Sequence, residues 1–319
     1  MADQSVECAW THYWQSDRLA SCGGAGERQY QIAIVRHWHR VFARLETPPR
    51  LLDLCCGNGA LAILAGRYYL ERRGIAAAID AVDRARIDPE RWLTQQRTWI
   101  RQIRFHGAMA AESLTFPNAT FTAIIGQYAL EYTDIDRTLA ECVRVLTPDG
   151  QLAFVIHARE GCVVARALAQ QAEIATIRAL DYFALAQKLA QAIASGSGDT
   201  ALKLAFEARC DALRALETRS LEPGMYQNIL GVIQHALAHL SDCPLALVRD
   251  KITEVEQGLN YHALRTEALA RAARTAEEIR QQLSPLGRLG FRPLGEWPEA
   301  IEGEGGLIGW SAILTRARA

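Results

Sequence analysis

Five short, largely apolar runs, each separated from the next by turn residues and helix-period sequence, lay out the first half of the chain. Leu51, Leu52 and Leu54 form the first, and a run of this length predicts a buried parallel strand. Gly57 and Gly59 then allow a tight turn, and Ala60–Ala65, all small or aliphatic, reads as a helix packed on a sheet. Upstream, Ile32, Val35, Trp38 or His39, and Phe42 recur near one face and predict a helix over Gln29–Leu45, preceded by a loop at Ser21–Gly26. Downstream, Ala76–Val82 reads as the second strand, Asp88–Gln102 as a helix with Pro89 in its first turn, and Ile103–His106 as the third strand. Phe121–Gly126 is the fourth strand, Thr138–Leu146 a helix, Thr147–Gly150 a turn and Gln151–Ile156 the fifth strand.

The pattern then changes. Arg159–Leu283 is dense in alanine and leucine, poor in glycine and proline, and predicts about four helices. Breaks fall at Ser195–Asp199 and Ser220–Gly224. Ser241 or Asp242 can cap the last helix, whose pattern runs for about 40 residues and can bend at Gly258. Strand signal returns at Phe291–Trp297, where prolines limit pairing, and at Leu307–Thr315. Strands alternating with helices imply an α/β fold with a mainly parallel sheet. Domain limits follow at residues 1–158 with 286–319, and 159–285.

Composition adds bounds. Half of the 319 residues are hydrophobic, enough for a sizeable core, and 35 basic against 36 acidic residues leave a net charge of −1. That balance argues against a large nucleic-acid footprint. Met1–Val6 lacks a leader pattern and no apolar run is long enough to span a bilayer, so a cytoplasmic location is expected. Eight cysteines make no CxxC pair, and they read as reduced residues. His235 and His239 have helical metal-ligand spacing but lack a third ligand nearby; no metal site is expected.

Asp53, Cys55, Gly57 and Gly59 match the acidic–x–small–x–Gly–x–Gly signature of class I S-adenosylmethionine-dependent methyltransferases, which the chain resembles over about 190 residues in two segments. The resemblance implies a Rossmann-like seven-stranded sheet closed by an antiparallel hairpin, interrupted here by an all-α insertion. It implies S-adenosylmethionine as cofactor, bound by the turn Cys55, Gly57, Asn58 and Gly59. Asp83, about 24 residues beyond the turn, would accept the ribose hydroxyls, with Arg84 beside it; Asp80 is the competitor on the same strand. Met109 and Ala110 stand at the adenine, where the family commonly has an acid instead of Met109. Gly126 and Gln127 would border the methionine portion, and Tyr13 or Trp14, from an aromatic N-terminal arm, would lie across the cofactor.

The sulfonium methyl is already activated, so the protein mainly aligns and desolvates its acceptor. His157, at a strand end, is the first candidate for a base, followed by Glu131 and Tyr128. The expected reaction is methyl transfer to a small, fairly apolar molecule under the helical insertion, read as a substrate lid or a homodimer interface. An RNA or protein acceptor, or a cofactor-binding scaffold without catalysis, are the alternatives.

Overall fold

The computed structural model describes residues 4–21, 32–45, 48–218, 220 and 224–316. Most of the loop read at Ser21–Gly26, the start of the helix read at Gln29–Leu45 and part of the break at 220–224 lie outside the described residues. The strands are β1 (Arg50–Leu54), β2 (Ala78–Val82), β3 (Ile103–His106), β4 (Phe121–Gln127), β5 (Leu146–Ile156), β6 (Phe291–Pro293), β7 (Glu299–Gly303) and β8 (Gly306–Arg316). The helices are α1 (Gln4–Trp14), α2 (Ile32–Phe42), α3 (Ala60–Arg67), the single turns α4 (Pro89–Trp92) and α5 (Arg97–Ile100), and α6 (Ile135–Val145). Then come α7 (Cys162–Ala179), α8 (Tyr182–Ala194), α9 (Thr200–Glu217), α10 (Met225–Ala238), α11 (Leu245–Ala272) and α12 (Ala276–Leu283).

One sheet runs in the order β3-β2-β1-β4-β5-β8-β6, with β7 also pairing β8. The first five strands are parallel and the C-terminal three antiparallel. The expected single edge strand at Phe291–Trp297 is two pieces: β6 stops at Pro293, which has no N–H to donate, and β7 resumes at Glu299 on the same flank of β8. The closing hairpin is therefore β7–β8, turning at Gly305 and Gly306.

Strand alternation builds a core on each face of the sheet. Leu51, Ile79 and Ile125 face one layer, with Trp38, Phe42, Leu61 and Tyr69. Leu52, Val82 and Ile124 face the other, with Leu139, Cys142, Ile279 and Leu283. The helix read over Asp88–Gln102 is split at Leu93–Gln96. Helix α6 starts three residues before the expected Thr138, because the Asp134 side chain accepts the N–H of Arg137 and caps it.

The chain divides into two compact units, residues Met1–Ala165 with Ala268–Ala319, and Arg166–Glu267. The second is all helical around Tyr182, Phe206, Leu213, Tyr226 and Ile233, with the Tyr182 and Phe206 rings stacked 5.2 Å apart. Between Arg159 and Leu283 the described residues form six helices, against about four expected. Helix α11 passes through Gly258 without a break and ends at Ala272. A new helix starts after Thr275, whose side chain accepts the N–H of Glu278 while Glu278 accepts the N–H of Thr275. This capping box was present in the sequence and unread. Thr275→Ala is expected to cost about 1 kcal/mol and to lower the melting temperature by about 2–4 °C, measured by calorimetry. No helix of the described residues is long and apolar enough to cross a membrane.

Candidate functional site

Strand order reverses between β1 and β4, and ligands of such sheets bind outside the C-terminal strand ends at that point. Past β1 the backbone turns sharply: Cys55, Gly57 and Gly59 have φ of 50°, 52° and 84°. The Cys56 N–H donates to Val82 O, tying the turn to the end of β2. A Cβ on Gly57 would lie 2.3 Å from the Trp14 ring, so only glycine lets the arm close on the turn.

The carboxylate of Asp83 organises the turn from the next strand. Its Oδ2 accepts the Gly57 N–H and its Oδ1 the Ala85 N–H, each at 2.8 Å. Burial pushes its pKa up to about 6, against the lowering effect of those two N–H groups and Arg84. Asp80, the competitor, is held by Arg104 and His106, and the Arg104 guanidinium keeps its carboxyl below the usual range against the opposing effect of burial. Burial and the surrounding carboxylates push the Cys55 and Cys56 thiols well up, which keeps them neutral.

At the ends of β4 and β5 a second cluster forms. Tyr128 has φ 53°, donates its hydroxyl to Ile308 O, and stacks on His157 with ring centroids 3.8 Å apart. Glu131 Oε1 lies 2.8 Å from both the backbone N and the Nδ1 of His157. Gln127 Oε1 accepts the indole N–H of Trp38.

Beside these groups lies a cavity of about 390 Å³, in the range of small-molecule sites. Of the residues expected at the site, Cys55, Asp83, Arg84, Gln127, Tyr128 and Glu131 line it. Trp14 lines it too, whereas Tyr13 sits edge-on to Trp14 with its hydroxyl directed to Ala20 O. Several others lie behind the wall. Asp53 is buried and accepts the Ala62 N–H, one of the orphan donors at the start of α3. Asn58 donates to the carbonyls of Trp14, Ser16 and Arg18 and so anchors the arm. The Met109 N–H is taken by Asp83 O, and Gly126 packs its backbone against Ala129 and Phe154. Ala110 and Gly59 are not in the lining either. His157 is 1% exposed and does not line the cavity, whereas the other two candidates, Glu131 and Tyr128, do, and His157 contacts both from behind.

Sequence reasoning missed Trp10, Cys56, Tyr132, Arg271 and Arg274 in the lining. The last two are brought there because Ala158 pairs with Arg274 as a short bridge, Arg274 N donating to His157 O and Arg159 N to Arg274 O. The capping box at Thr275 marked that return.

Residues 51–150 match a family described as a methyltransferase domain. The chain is 31% identical over 109 residues to the uncharacterized methyltransferase YcgJ of Bacillus subtilis, covering 34% of this chain and 40% of that protein. It is 33% identical over 120 residues to the malonyl-[acyl-carrier protein] O-methyltransferase of Geobacter sulfurreducens, covering 36% and 41%. It thus spans under half the length of these curated relatives. Among solved structures, the 1,6-didemethyltoxoflavin-N1-methyltransferase of Burkholderia thailandensis is 24% identical, with 41% of this chain and 55% of that chain covered and a TM-score of 0.33.

Proposed function

We propose, from the premise that this chain belongs to the class I S-adenosylmethionine-dependent methyltransferases through its residues 51–150, that it methylates a small, fairly apolar molecule held in the cavity at the strand ends. The observation that carries this reading is the pairing, across one cavity, of a buried carboxylate at the end of β2 with aromatic rings and a second buried carboxylate beyond β4.

The residues fit the cofactor. Each Asp83 oxygen accepts one backbone N–H, and a carboxylate offers about four lone-pair sites, so acceptor capacity is left for a ribose diol. The turn 55–57 and Gln127 would border the methionine portion, and the Trp14 ring would cover it. When bound, S-adenosylmethionine supplies a methyl group already activated by positive sulfur. The chain's own part is to orient the acceptor, exclude water and hold a proton or hydrogen bond at Glu131.

A small acceptor is favoured over RNA by how the cationic groups are used. Arg84 pairs with Glu112 at 2.7 Å, and Arg274 donates to the carbonyls of Arg271, Ala272 and Ala273. A phosphate-tracking groove needs cations presented to the ligand. Calorimetric titration with S-adenosylmethionine and S-adenosylhomocysteine tests the reading: saturable one-site binding of both is expected. Absence of heat and of any thermal shift with either would overturn it.

A further inference from the structure

Two polar atoms in the cavity wall are buried without a hydrogen-bond partner, Glu131 Oε2 and Gln127 Nε2. A buried acceptor left unmet is costly, and natural structures leave few of them. From Glu131 we infer that the acceptor molecule is a flat, uncharged compound bearing an O–H or N–H donor, which it gives to Glu131 Oε2. The inference deepens the methyltransferase reading and rests on it for the identity of the bound molecule, though not for the chemistry of the wall.

The geometry of Glu131 is fixed from behind. The residue is 3% exposed, and its Oε1 takes two contacts from His157. The backbone N–H of His157 is a donor whatever the state of the imidazole, so Oε1 is committed to that side. Oε2 is then the carboxylate atom left to serve the cavity, and it can only accept while the group is ionised. An anionic ligand placed there would meet like charge. Of the cations in the lining, Arg84 is engaged with Glu112 and Arg274 with the carbonyls that end α11.

The rest of the wall supports a flat shape. Trp10 and Trp14 stack with centroids 6.0 Å apart and planes at 19°, and Tyr132 stands edge-on to Trp10 at 6.0 Å. Aromatic walls of this kind take planar apolar bodies, and a few placed polar atoms set their orientation. His157 is a positioning residue here: it touches Glu131 and Tyr128 and does not reach the cavity.

Glu131→Gln makes the inference sharp. The amide must turn its carbonyl to the His157 N–H, which puts –NH2 where Oε2 stood. An unmet acceptor becomes an unmet donor, and preference should reverse with little change of shape. The test is calorimetry on the full chain, with and without saturating S-adenosylhomocysteine, using 2-naphthol, 2-methoxynaphthalene and 2-naphthoate as matched probes. Wild-type protein is expected to bind 2-naphthol about tenfold more tightly than either of the others, as one charge-assisted hydrogen bond allows. In Glu131→Gln, 2-naphthoate should overtake 2-naphthol, whose phenolic oxygen is the weaker acceptor for the –NH2. Equal wild-type affinities, a preference for the naphthoate, or no binding by any probe would overturn the inference, and these outcomes need no variant to fold. Failure of S-adenosylhomocysteine to bind, with the 2-naphthol preference intact, would overturn the methyltransferase reading and leave the role of Glu131 standing.

Discussion

Asp83→Asn is expected to weaken S-adenosylhomocysteine binding about 100-fold at neutral pH. Two charge-assisted hydrogen bonds to a ribose diol contribute about 1.5 kcal/mol each at the low end of their range, and 1.4 kcal/mol is a factor of ten. The asparagine also meets the Gly57 and Ala85 N–H groups with only one accepting atom, so one donor of the turn is left facing an –NH2. The wild-type protein should show a pH signature that the variant lacks. Asp83 titrates at about 6, so its ionised form, the better acceptor, is lost below that value. Affinity should therefore fall as pH drops through about 6, approaching tenfold per unit, while Asp83→Asn stays flat there. Stability moves the other way. The folded pKa lies above the ordinary carboxylate value of 3.8, so the folded state binds the proton more tightly than the unfolded chain. The contribution is full below about 3.8 and is lost as pH rises through about 6. Opposite trends of affinity and stability on acidification, both abolished near pH 6 by the same substitution, would assign them to this one carboxyl. Parallel trends would refute the assignment.

The parts of the fold that were legible are those written in local periodicity. Leu51, Leu52 and Leu54 alternate between two core layers as a central strand must, and Gly57 and Gly59 take the positive φ that the turn demands. What local pattern leaves out is the partner of each polar atom. Asp53 and Asp83 are both acids near strand ends, 30 residues apart in the sequence. One spends its carboxylate on the Ala62 N–H under the turn and the other borders the cavity. The resemblance makes Asn58 a cofactor ligand of the turn, yet its amide is used on three carbonyls of an arm 40 to 44 positions upstream. His157 ranked first among the bases because it stands at a strand end, where ligands of such sheets bind. Its backbone N–H and its Nδ1 both meet Glu131 Oε1, which sets it behind that carboxylate, and hydrophobicity does not report such a pairing. The edge strand was misjudged for a related reason: Pro293 announced a break in pairing, but resumption at Glu299 depends on β8 being long enough to receive a second piece.

Trp38→Ala is expected to be among the most destabilising single substitutions in the sheet unit, at about 4 kcal/mol, and Trp38→Phe separates the reasons. Trp38 is fully buried in α2, stacks on Phe42 with centroids 5.6 Å apart, and donates its indole N–H to Gln127 Oε1. Truncating a buried tryptophan costs about 3–5 kcal/mol from lost contact and cavity together. Leaving the Gln127 oxygen without its donor adds about 1–3 kcal/mol unless the amide rotates. At about 2–4 °C per kcal/mol for a unit of this size, Trp38→Ala should lower the melting temperature by roughly 10 °C or more. Trp38→Phe keeps an aromatic ring against Phe42 and removes the donor with only part of the buried volume, so its loss should be about 1–2 kcal/mol. Its larger effect should be on the cavity. The indole N–H is what fixes Gln127 with Oε1 inward and Nε2 toward the wall; without it the side-chain amide can take either orientation. Trp38→Phe should then weaken S-adenosylhomocysteine binding by several-fold while lowering the thermal midpoint by only about 2–8 °C, and Trp38→Ala should move both further. If Trp38→Phe left the cofactor-product affinity untouched, the indole would be a core residue alone, and Gln127 would owe its orientation to the strand that carries it.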